Sequence, residues 1–453
     1  MKKKILIVLN SQLYIRNYIE SDAFLKITKN FDCYFLINKK YVVLKAKINK
    51  KKVFFFNINP LLERLYKFKT KIEFLRNPYK SSTINFLIKK FLKKKLIYTN
   101  DNFNSTFLIL LRLLNFILNF LVYFFKDFFH FIFYSLDYFS KYNFYNIIIN
   151  QIRPHLIIFP YQSDDVVFSS ILLTAKKKIP LLGLVDNWDN LSSKSNFKIQ
   201  PDFITVWGDQ SRLHAIKYQG FKKQQIFVLG TPRYDVFFKV RNDRIESNFN
   251  FKYILFLESF FNFNNVVELK ILDKLIVSNN FFRNYKIIYR PHPWQKIHDI
   301  NISKLNFKSV VLDPQIKENY INRNFSTSFQ PSLKYYPTLI KNAELIITGP
   351  TSMLIEASIF KKKILLLGYK NFSEVTYYDQ LKHFVHLEGV SNLSNVTICK
   401  KLSHLKKNLL EVLEQKKVTQ CKITDRQRNY FLYNDEKSYS YRLNDVVKFI
   451  FNK

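Results

Sequence analysis

Arginine, histidine and proline stand together after an apolar run in the second half of the chain. The segment Tyr289–Trp294 reads YRPHPW and overlaps the end of the strand-like run Lys286–Tyr289. Ligands of open parallel sheets bind beyond the carboxyl ends of strands. Guanidinium and imidazole groups can hydrogen-bond a phosphate there, and two prolines stiffen the loop that carries them. Arg290 and His292 are therefore candidate anion-binding residues; the simpler alternative is a rigid loop with a surface histidine.

A second polar turn follows the apolar run Leu345–Thr348. It contains Gly349, Thr351 and Ser352, and a stretch of helical length begins there. Such a turn aims hydroxyls and backbone N–H groups above the sheet, and a helix N-terminus favours an anion. Glu356 lies one turn into this helix, where its carboxylate is placed to accept hydrogen bonds from ribose hydroxyls. The alternative is an ordinary capped helix with a solvated glutamate.

Carboxylates that could serve as a general base follow two strand-like runs in the first half of the chain. Asp186 and Asp189 belong to the segment 186–194, DNWDNLSSK, directly after Leu181–Val185. Proton transfer in the transition state needs such a group within hydrogen-bond reach of the acceptor. We rank Asp186 first, because the Trp188 ring beside it could exclude water and raise its pKa. Asp189 ranks second.

Asp164 is the third candidate base. It stands in the segment 162–165, QSDD, after the apolar run Leu156–Phe159. The competing interpretation carries equal weight: Asp164 caps a helix and Asp165 is an acid of its first turn that interacts with the helix dipole.

Apolar runs of strand length alternate with stretches of helical length through most of the chain. This alternation predicts parallel sheets covered by helices, an α/β fold. A polar stretch near residues 241–250 divides the series. We therefore predict an N-terminal Rossmann-like domain over residues 1–240 and a C-terminal one over residues 241–453.

Residues 39–139 break the alternation and predict a basic and apolar helical insertion over about residues 60–150. Between Lys39 and Lys95 the acids are Glu63 and Glu73, and Phe103–Phe139 is almost continuously apolar. At roughly 100° per residue its polar side chains fall on one narrow stripe. We predict a long helix with a wide apolar face, lying in a membrane interface or packed in the core with its stripe facing a cleft; a transmembrane span is less favoured. The stripe consists of Arg112, Asn115, Asn119, Lys126, His130 and Asp137.

Composition excludes several classes of protein. The 453 residues include 72 Lys and Arg against 34 Asp and Glu, a net charge of +38, and 47% are hydrophobic. This apolar content excludes a disordered chain, and three cysteines exclude a disulfide scaffold. The charge suits anionic substrates or an anionic membrane; no motif supports nucleic acid as a partner. We expect no metal and no bound cofactor, since no ligand cluster, GxGxxG or Walker A motif is present.

The N-terminus reads MKKKILIVLN. Its apolar run is too short for the core of a signal peptide. We therefore expect a first buried strand and a cytoplasmic protein.

The order of these motifs resembles a known family. Residues 290–293, RPHP, then 349–352, GPTS, then Glu356 are similar to donor-site motifs of GT-B glycosyltransferases that build bacterial surface polysaccharides. The CDP-glycerol glycerophosphotransferase-like and capsule-synthesis groups are similar, and so are CMP-sugar transferases. Segments 186–194, 206–208 and 230–232 also resemble such proteins. The likeness covers residues 150–370 well and residues 39–139 poorly.

That resemblance implies two Rossmann-like domains facing a cleft, with the nucleotide held by Arg290, His292, Gly349, Thr351, Ser352 and Glu356. It implies a metal-independent transfer of a sugar, or a polyol phosphate, from a nucleotide-activated donor to a lipid-linked or surface-polysaccharide acceptor. The enzyme would then work at the inner face of the cell membrane, as a peripheral protein. Two alternatives stay open: a UDP-GlcNAc 2-epimerase-like enzyme on the same fold, and a non-catalytic polybasic membrane-binding protein.

Overall fold

A computed structural model describes most of the chain. The described residues are 2–39, 52–57, 60–76, 79–93, 105–139, 143–161, 179–194, 200–247, 249–259, 265–292, 306–321, 333, 335–371, 375–414, 425–435 and 437–453. Pro293, Trp294, Asp164 and Asp165 lie outside them.

The first sheet has seven parallel strands in the order β3-β2-β1-β4-β5-β6-β7. Its central strands are buried on both faces, as expected of strands covered by helices on each side. The strands are β1 Lys4–Leu9, β2 Asp32–Asn38, β3 Val53–Phe56, β4 Leu156–Tyr161, β5 Leu181–Val185, β6 Phe203–Val206 and β7 Ile226–Val228.

The second sheet has six parallel strands in the order β10-β9-β8-β11-β12-β13. In both sheets the order of strands reverses beside the first strand, which is the doubly wound topology. The strands are β8 Lys252–Leu257, β9 Tyr285–Arg290, β10 Val310–Leu312, β11 Leu345–Thr348, β12 Ile364–Leu367 and β13 Val396–Cys399.

Helices connect the strands. They are α1 Gln12–Tyr14, which continues as a π-helical turn over Ile15–Glu20, α2 Leu25–Asn30, α3 Pro60–Arg76, α4 Ser82–Lys93, α5 Ser105–Phe124, α6 Lys126–Phe139, α7 Asn143–Ile152, α8 Asn190–Ser193, α9 Asp209–Gln219, α10 Asp235–Asn242, α11 Val266–Ser278, α12 Pro314–Ile321, α13 Tyr335–Asn342, α14 Met353–Ile359, α15 Tyr377–His383, α16 Leu405–Glu414, α17 Asp425–Phe431 and α18 Tyr439–Asn452. The α/β architecture with two parallel sheets confirms the predicted fold class.

The chain forms two compact units that exchange short segments. The first contains residues 1–11, 25–229 and 444–453, and the second contains residues 12–24 and 230–443. The segment Gln12–Phe24 thus leaves the first sheet after β1 and groups with the second unit. Nothing in the sequence predicts these two exchanges.

The helical insertion is a small bundle inside the first unit. Helices α3, α4, α5 and α6 contact one another around a core of Ile72, Leu75, Ile84, Ile88 and Val122. One long helix was expected over residues 103–139, but a turn at Phe125 divides it into α5 and α6. A backbone hydrogen bond from Phe129 N to Phe125 O, 3.0 Å, links this turn to the start of α6.

Candidate functional site

Three neighbouring strands of the second sheet end at one edge. Leu257 of β8 lies opposite Arg290 of β9 on one side and Thr348 of β11 on the other. The residues that follow these three strands therefore meet at the carboxyl edge. The order of strands reverses between β8 and β11, and ligands of doubly wound sheets bind at such a switch point. The sequence-predicted residues after β9 and β11 are thus brought to one place.

A buried glutamate positions the histidine of this edge. Glu258 directly follows β8 and is 1% exposed. Its Oε2 accepts a hydrogen bond from the backbone N of His292, 2.8 Å, and its own backbone N donates to Arg290 O, 3.0 Å. Glu258 thereby fixes the loop after β9. The sequence analysis missed it, although an acid directly after an apolar strand is the signal that marks Asp186.

His292 is a neutral side chain in this environment. Burial lowers its pKa to about 4, because desolvation disfavours the charged imidazolium. At neutral pH the ring therefore offers one N–H donor and one acceptor nitrogen. It can hydrogen-bond a phosphate oxygen or pass a proton, but it brings no positive charge.

The sequence predicts that Arg290 binds a phosphate, whereas in the structure its guanidinium contacts other protein side chains. Its side chain is 1% exposed, and its guanidinium donates to Asp313 Oδ2 at 2.8 Å and to Gln315 Oε1 at 3.0 Å. The guanidinium also lies over the ring of Tyr336, 4.6 Å from its centroid. A buried, paired guanidinium of this kind holds the loop in place, and a ligand would have to compete with Asp313 for it.

Gly349 makes room for its neighbours at the start of the second turn. A Cβ atom on this residue would lie 2.4 Å from the ring of Tyr377 and 2.5 Å from Ser259 Oγ. Tyr377 is held in turn, because its hydroxyl accepts a hydrogen bond from Asn265 Nδ2 at 2.7 Å. The Ser259 hydroxyl has no hydrogen-bond partner among the described residues. Ser259 is a further residue of this edge that the sequence analysis missed.

The hydroxyl residues Thr351 and Ser352 are partly exposed at the start of α14. Glu356, one turn later, is 7% exposed. Its Oε1 accepts a hydrogen bond from the Tyr234 hydroxyl, 2.9 Å, while no described residue donates to its Oε2. A buried carboxylate oxygen with no donor is costly unless a ligand or water supplies one. The solvated glutamate of the alternative interpretation is therefore wrong for this residue.

Arg233 and Tyr234 join this site from the segment after β7. Burial raises the pKa of Tyr234, so its hydroxyl stays protonated and donates to Glu356. The Arg233 Nη2 donates to the same hydroxyl at 2.8 Å, and its guanidinium lies 4.7 Å from the centre of the Tyr234 ring. No local pattern predicts this link, because the two segments are more than a hundred residues apart.

The candidate bases of the first unit differ in exposure. Asp186 directly follows β5 and is fully buried. Asp189 has a side chain 32% exposed; it accepts a hydrogen bond from Ser193 Oγ at 2.6 Å and lies 3.8 Å from Lys194 Nζ. Trp188, predicted to exclude water beside Asp186, is buried, and its indole N–H donates to Gln210. Asp164 lies outside the described residues.

The helical insertion contacts this loop of the first unit. The Ser81 hydroxyl, directly before α4, donates to the backbone carbonyl of Ser192 at 2.6 Å. In the described part of the chain, no helix has the length and apolarity needed to span a membrane. The same residues contain no group of three His, Cys, Asp or Glu that could hold a metal ion.

Comparisons with known proteins give a likeness of fold. No family model matches the sequence, and no curated protein matches it. A candidate UDP-N-acetylglucosamine 2-epimerase from Listeria monocytogenes is a similar solved structure, at 11% identity over 100% of this chain and 97% of that one, with a TM-score of 0.52.

The UDP-GlcNAc 2-epimerase from Methanocaldococcus jannaschii, solved in complex with UDP-GlcNAc and UDP, is similar at 13% identity over 98% of this chain and 99% of that one, with a TM-score of 0.51. The wall teichoic acid polymerase TagF is similar at 10% identity over 99% of this chain and 89% of that one, with a TM-score of 0.48. At these identities the likeness concerns architecture alone. The chain therefore has an α/β fold of the GT-B type.

Proposed function

We propose that this protein is a glycosyltransferase, or a related glycerophosphotransferase, that uses a nucleotide-activated donor. The second unit would hold the nucleotide at the edge formed by β9, β8 and β11. The acceptor would be a lipid-linked or surface-polysaccharide hydroxyl, and the protein would work peripherally at the inner face of the cell membrane. Two observations support this proposal: the resemblance of the motifs to those of transferases, and the geometry of the described residues at this edge.

The observation that carries the proposal is the state of Glu356. Its buried Oε2 has no donor among the described residues, and the Tyr234 hydroxyl fixes the other carboxylate oxygen. Ribose presents two adjacent hydroxyls that can donate to a carboxylate. We therefore propose that Glu356 binds the ribose of the donor.

The phosphates would lie towards His292, Thr351, Ser352 and the hydroxyl of Ser259. These groups donate hydrogen bonds without requiring a metal, and such donors can stabilise the charge on a departing phosphate. We propose that Arg290 acts by positioning the loop, because Asp313 and Gln315 already occupy its guanidinium.

The epimerase alternative is favoured by the solved structures, since the epimerase from Methanocaldococcus jannaschii was solved with UDP-GlcNAc and UDP. One incubation distinguishes the two activities. An epimerase converts UDP-GlcNAc into its C2 epimer with no acceptor present, whereas a transferase leaves the nucleotide sugar intact until an acceptor is added. Mass is unchanged by epimerisation, so the products are separated by chromatography.

A thermal-shift screen against CMP, CDP, UDP, GDP and their sugars tests nucleotide binding. A ligand at a hundredfold its dissociation constant stabilises the folded state by about 2.7 kcal/mol. We expect one nucleotide series to raise the melting temperature, and Glu356→Gln to weaken its binding about tenfold, since hydrogen bonds to charged groups contribute about 1.5–3 kcal/mol.

The control variant is Asp273→Asn, at the opposite edge of the same sheet. Asp273 accepts hydrogen bonds from the backbone N and the hydroxyl of Ser309, which precedes β10. The Asp273→Asn variant should change the free energy of unfolding without changing the affinity for the nucleotide. If no nucleotide raises the melting temperature, the enzyme proposal fails and the non-catalytic membrane-binding alternative gains support.

A further inference from the structure

Helices α5 and α6 expose many large apolar side chains. Thirteen of them between Leu110 and Ile132 are at least 36% exposed, and we call this set the apolar face. Phe116 is 64% exposed and Phe131 is 68% exposed. Soluble proteins rarely expose an apolar patch of this kind unless it binds something.

The apolar face lies opposite the packed side of the same helices. At about 100° per residue, its members on α5 cover an arc of roughly 200°. Val122, at the other side of α5, is 9% exposed and belongs to the bundle core with Ile72 and Leu75. His130 of α6 likewise points back to Glu73 of α3. Among the described residues, the bundle core therefore uses one side of the two helices, and the large apolar side chains of the other side are exposed.

Positive charge accompanies the apolar face. Lys126, the first residue of α6, lies with its Nζ 5.1 Å from the centre of the Tyr123 ring. Helices α3 and α4 pack against α5 and α6, and they carry the exposed side chains of Arg64 and Lys89. The exposed acid Asp127 is paired with Arg76 at 2.5 Å.

We propose that the apolar face binds the interfacial layer of an anionic lipid bilayer. Apolar side chains would enter the boundary between headgroups and acyl chains, and the lysines and arginines of the bundle would contact anionic headgroups. This occupant fits both properties of the surface. A second copy of the chain would bury the apolar side chains but would bring two basic bundles together, which Coulomb repulsion opposes.

This inference deepens the peripheral membrane location in the proposed function. Its test is separate, because vesicle binding is measured with no nucleotide present and nucleotide binding with no vesicle. It also gives the helical insertion a role that the resemblance to transferases does not cover.

Vesicle flotation of the full chain tests it. The vesicles contain phosphatidylcholine alone or with phosphatidylglycerol, at low and at high salt. The test variant carries Phe120→Glu and Phe128→Glu, which are 48% and 59% exposed. The matched control carries Leu213→Glu and Val277→Glu, which are 51% and 50% exposed on α9 and α11. Both double variants change the net charge equally, so a difference between them reports the location of the apolar side chains.

We expect the wild-type protein and the control to float with anionic vesicles, more weakly at high salt, and the test variant to lose at least about tenfold in binding. Circular dichroism should show all three proteins folded, because the replaced side chains are exposed. Equal flotation of the two variants would overturn the inference. A dimer that dissociates in the test variant, together with no vesicle binding by the wild type, would also overturn it and assign the face to a second copy.

Discussion

Two residues that the sequence marks as anion ligands, at the end of β9, are held by carboxylates that follow the strands on either side of β9. Glu258, after β8, fixes the backbone of His292, and Asp313, after β10, pairs with Arg290. The side chains of both carboxylates are almost fully buried. Removing Asp313 would leave the buried charge of Arg290 uncompensated, and removing Glu258 would take away the acceptor of the His292 backbone N–H. These acids therefore determine the shape of the site as much as its predicted ligands do.

The lowered pKa of His292 predicts a pH dependence of stability. In the folded protein its pKa is about 4, below the ordinary value of 6.5. Between these two pH values the imidazole is therefore protonated in the unfolded chain and neutral in the folded protein. The free energy of unfolding therefore falls as the pH drops from about 6.5 towards 4. Between pH 7 and pH 4.5 the wild type should lose about 2 kcal/mol more than His292→Gln in urea unfolding. Equal losses in both proteins would contradict the burial of this ring.

The exposure of the aspartates makes Asp189 the better first test of the base. A general base must contact the acceptor hydroxyl, and Asp186 is fully buried while Asp189 is partly exposed. We expect Asp189→Asn to lower the rate of transfer by about a hundredfold or more with nucleotide affinity unchanged. Asp186→Asn should chiefly lower stability. The opposite pattern, measured by product formation and thermal melts, would restore the original order.

At the scale of elements, the turn between β11 and α14 depends on a residue with no side chain. Gly349→Ala would place a methyl group against Tyr377 and Ser259, and Tyr377 is held by Asn265. We expect a loss of about 2–3 kcal/mol in the free energy of unfolding, typical of overpacking, and weaker nucleotide binding.

Gly183→Ala in β5 is the control for this turn, because its nearest atom, Pro201 Cγ, is 3.3 Å from the added Cβ. It should cost clearly less in urea unfolding. If the two glycine variants lost equal stability, the close approach at Gly349 would not matter.

At the scale of the whole molecule, the proposed membrane binding would combine the net charge of +38 with the apolar face. Charge alone gives non-specific attraction to polyanions, which salt screens. The exposed phenylalanines would add a preference for a surface with an apolar layer. The predicted domain boundary between residues 240 and 241 stays a prediction. Residues 12–24 group with the second unit and residues 444–453 with the first, and no local sequence pattern predicts either assignment.

The sequence by itself determined the α/β class, the parallel strands and the positions of the turns that follow β9 and β11. These depend on short-range features, such as apolar runs of strand length and Gly and Pro between them. Only the tertiary structure decided that Tyr234 fixes Glu356, that Asp313 occupies Arg290 and that α5 turns its apolar side outward. Each of these depends on contacts between segments far apart in the chain or on which side of a helix its neighbours cover, and a periodic pattern specifies a face without specifying what lies against it.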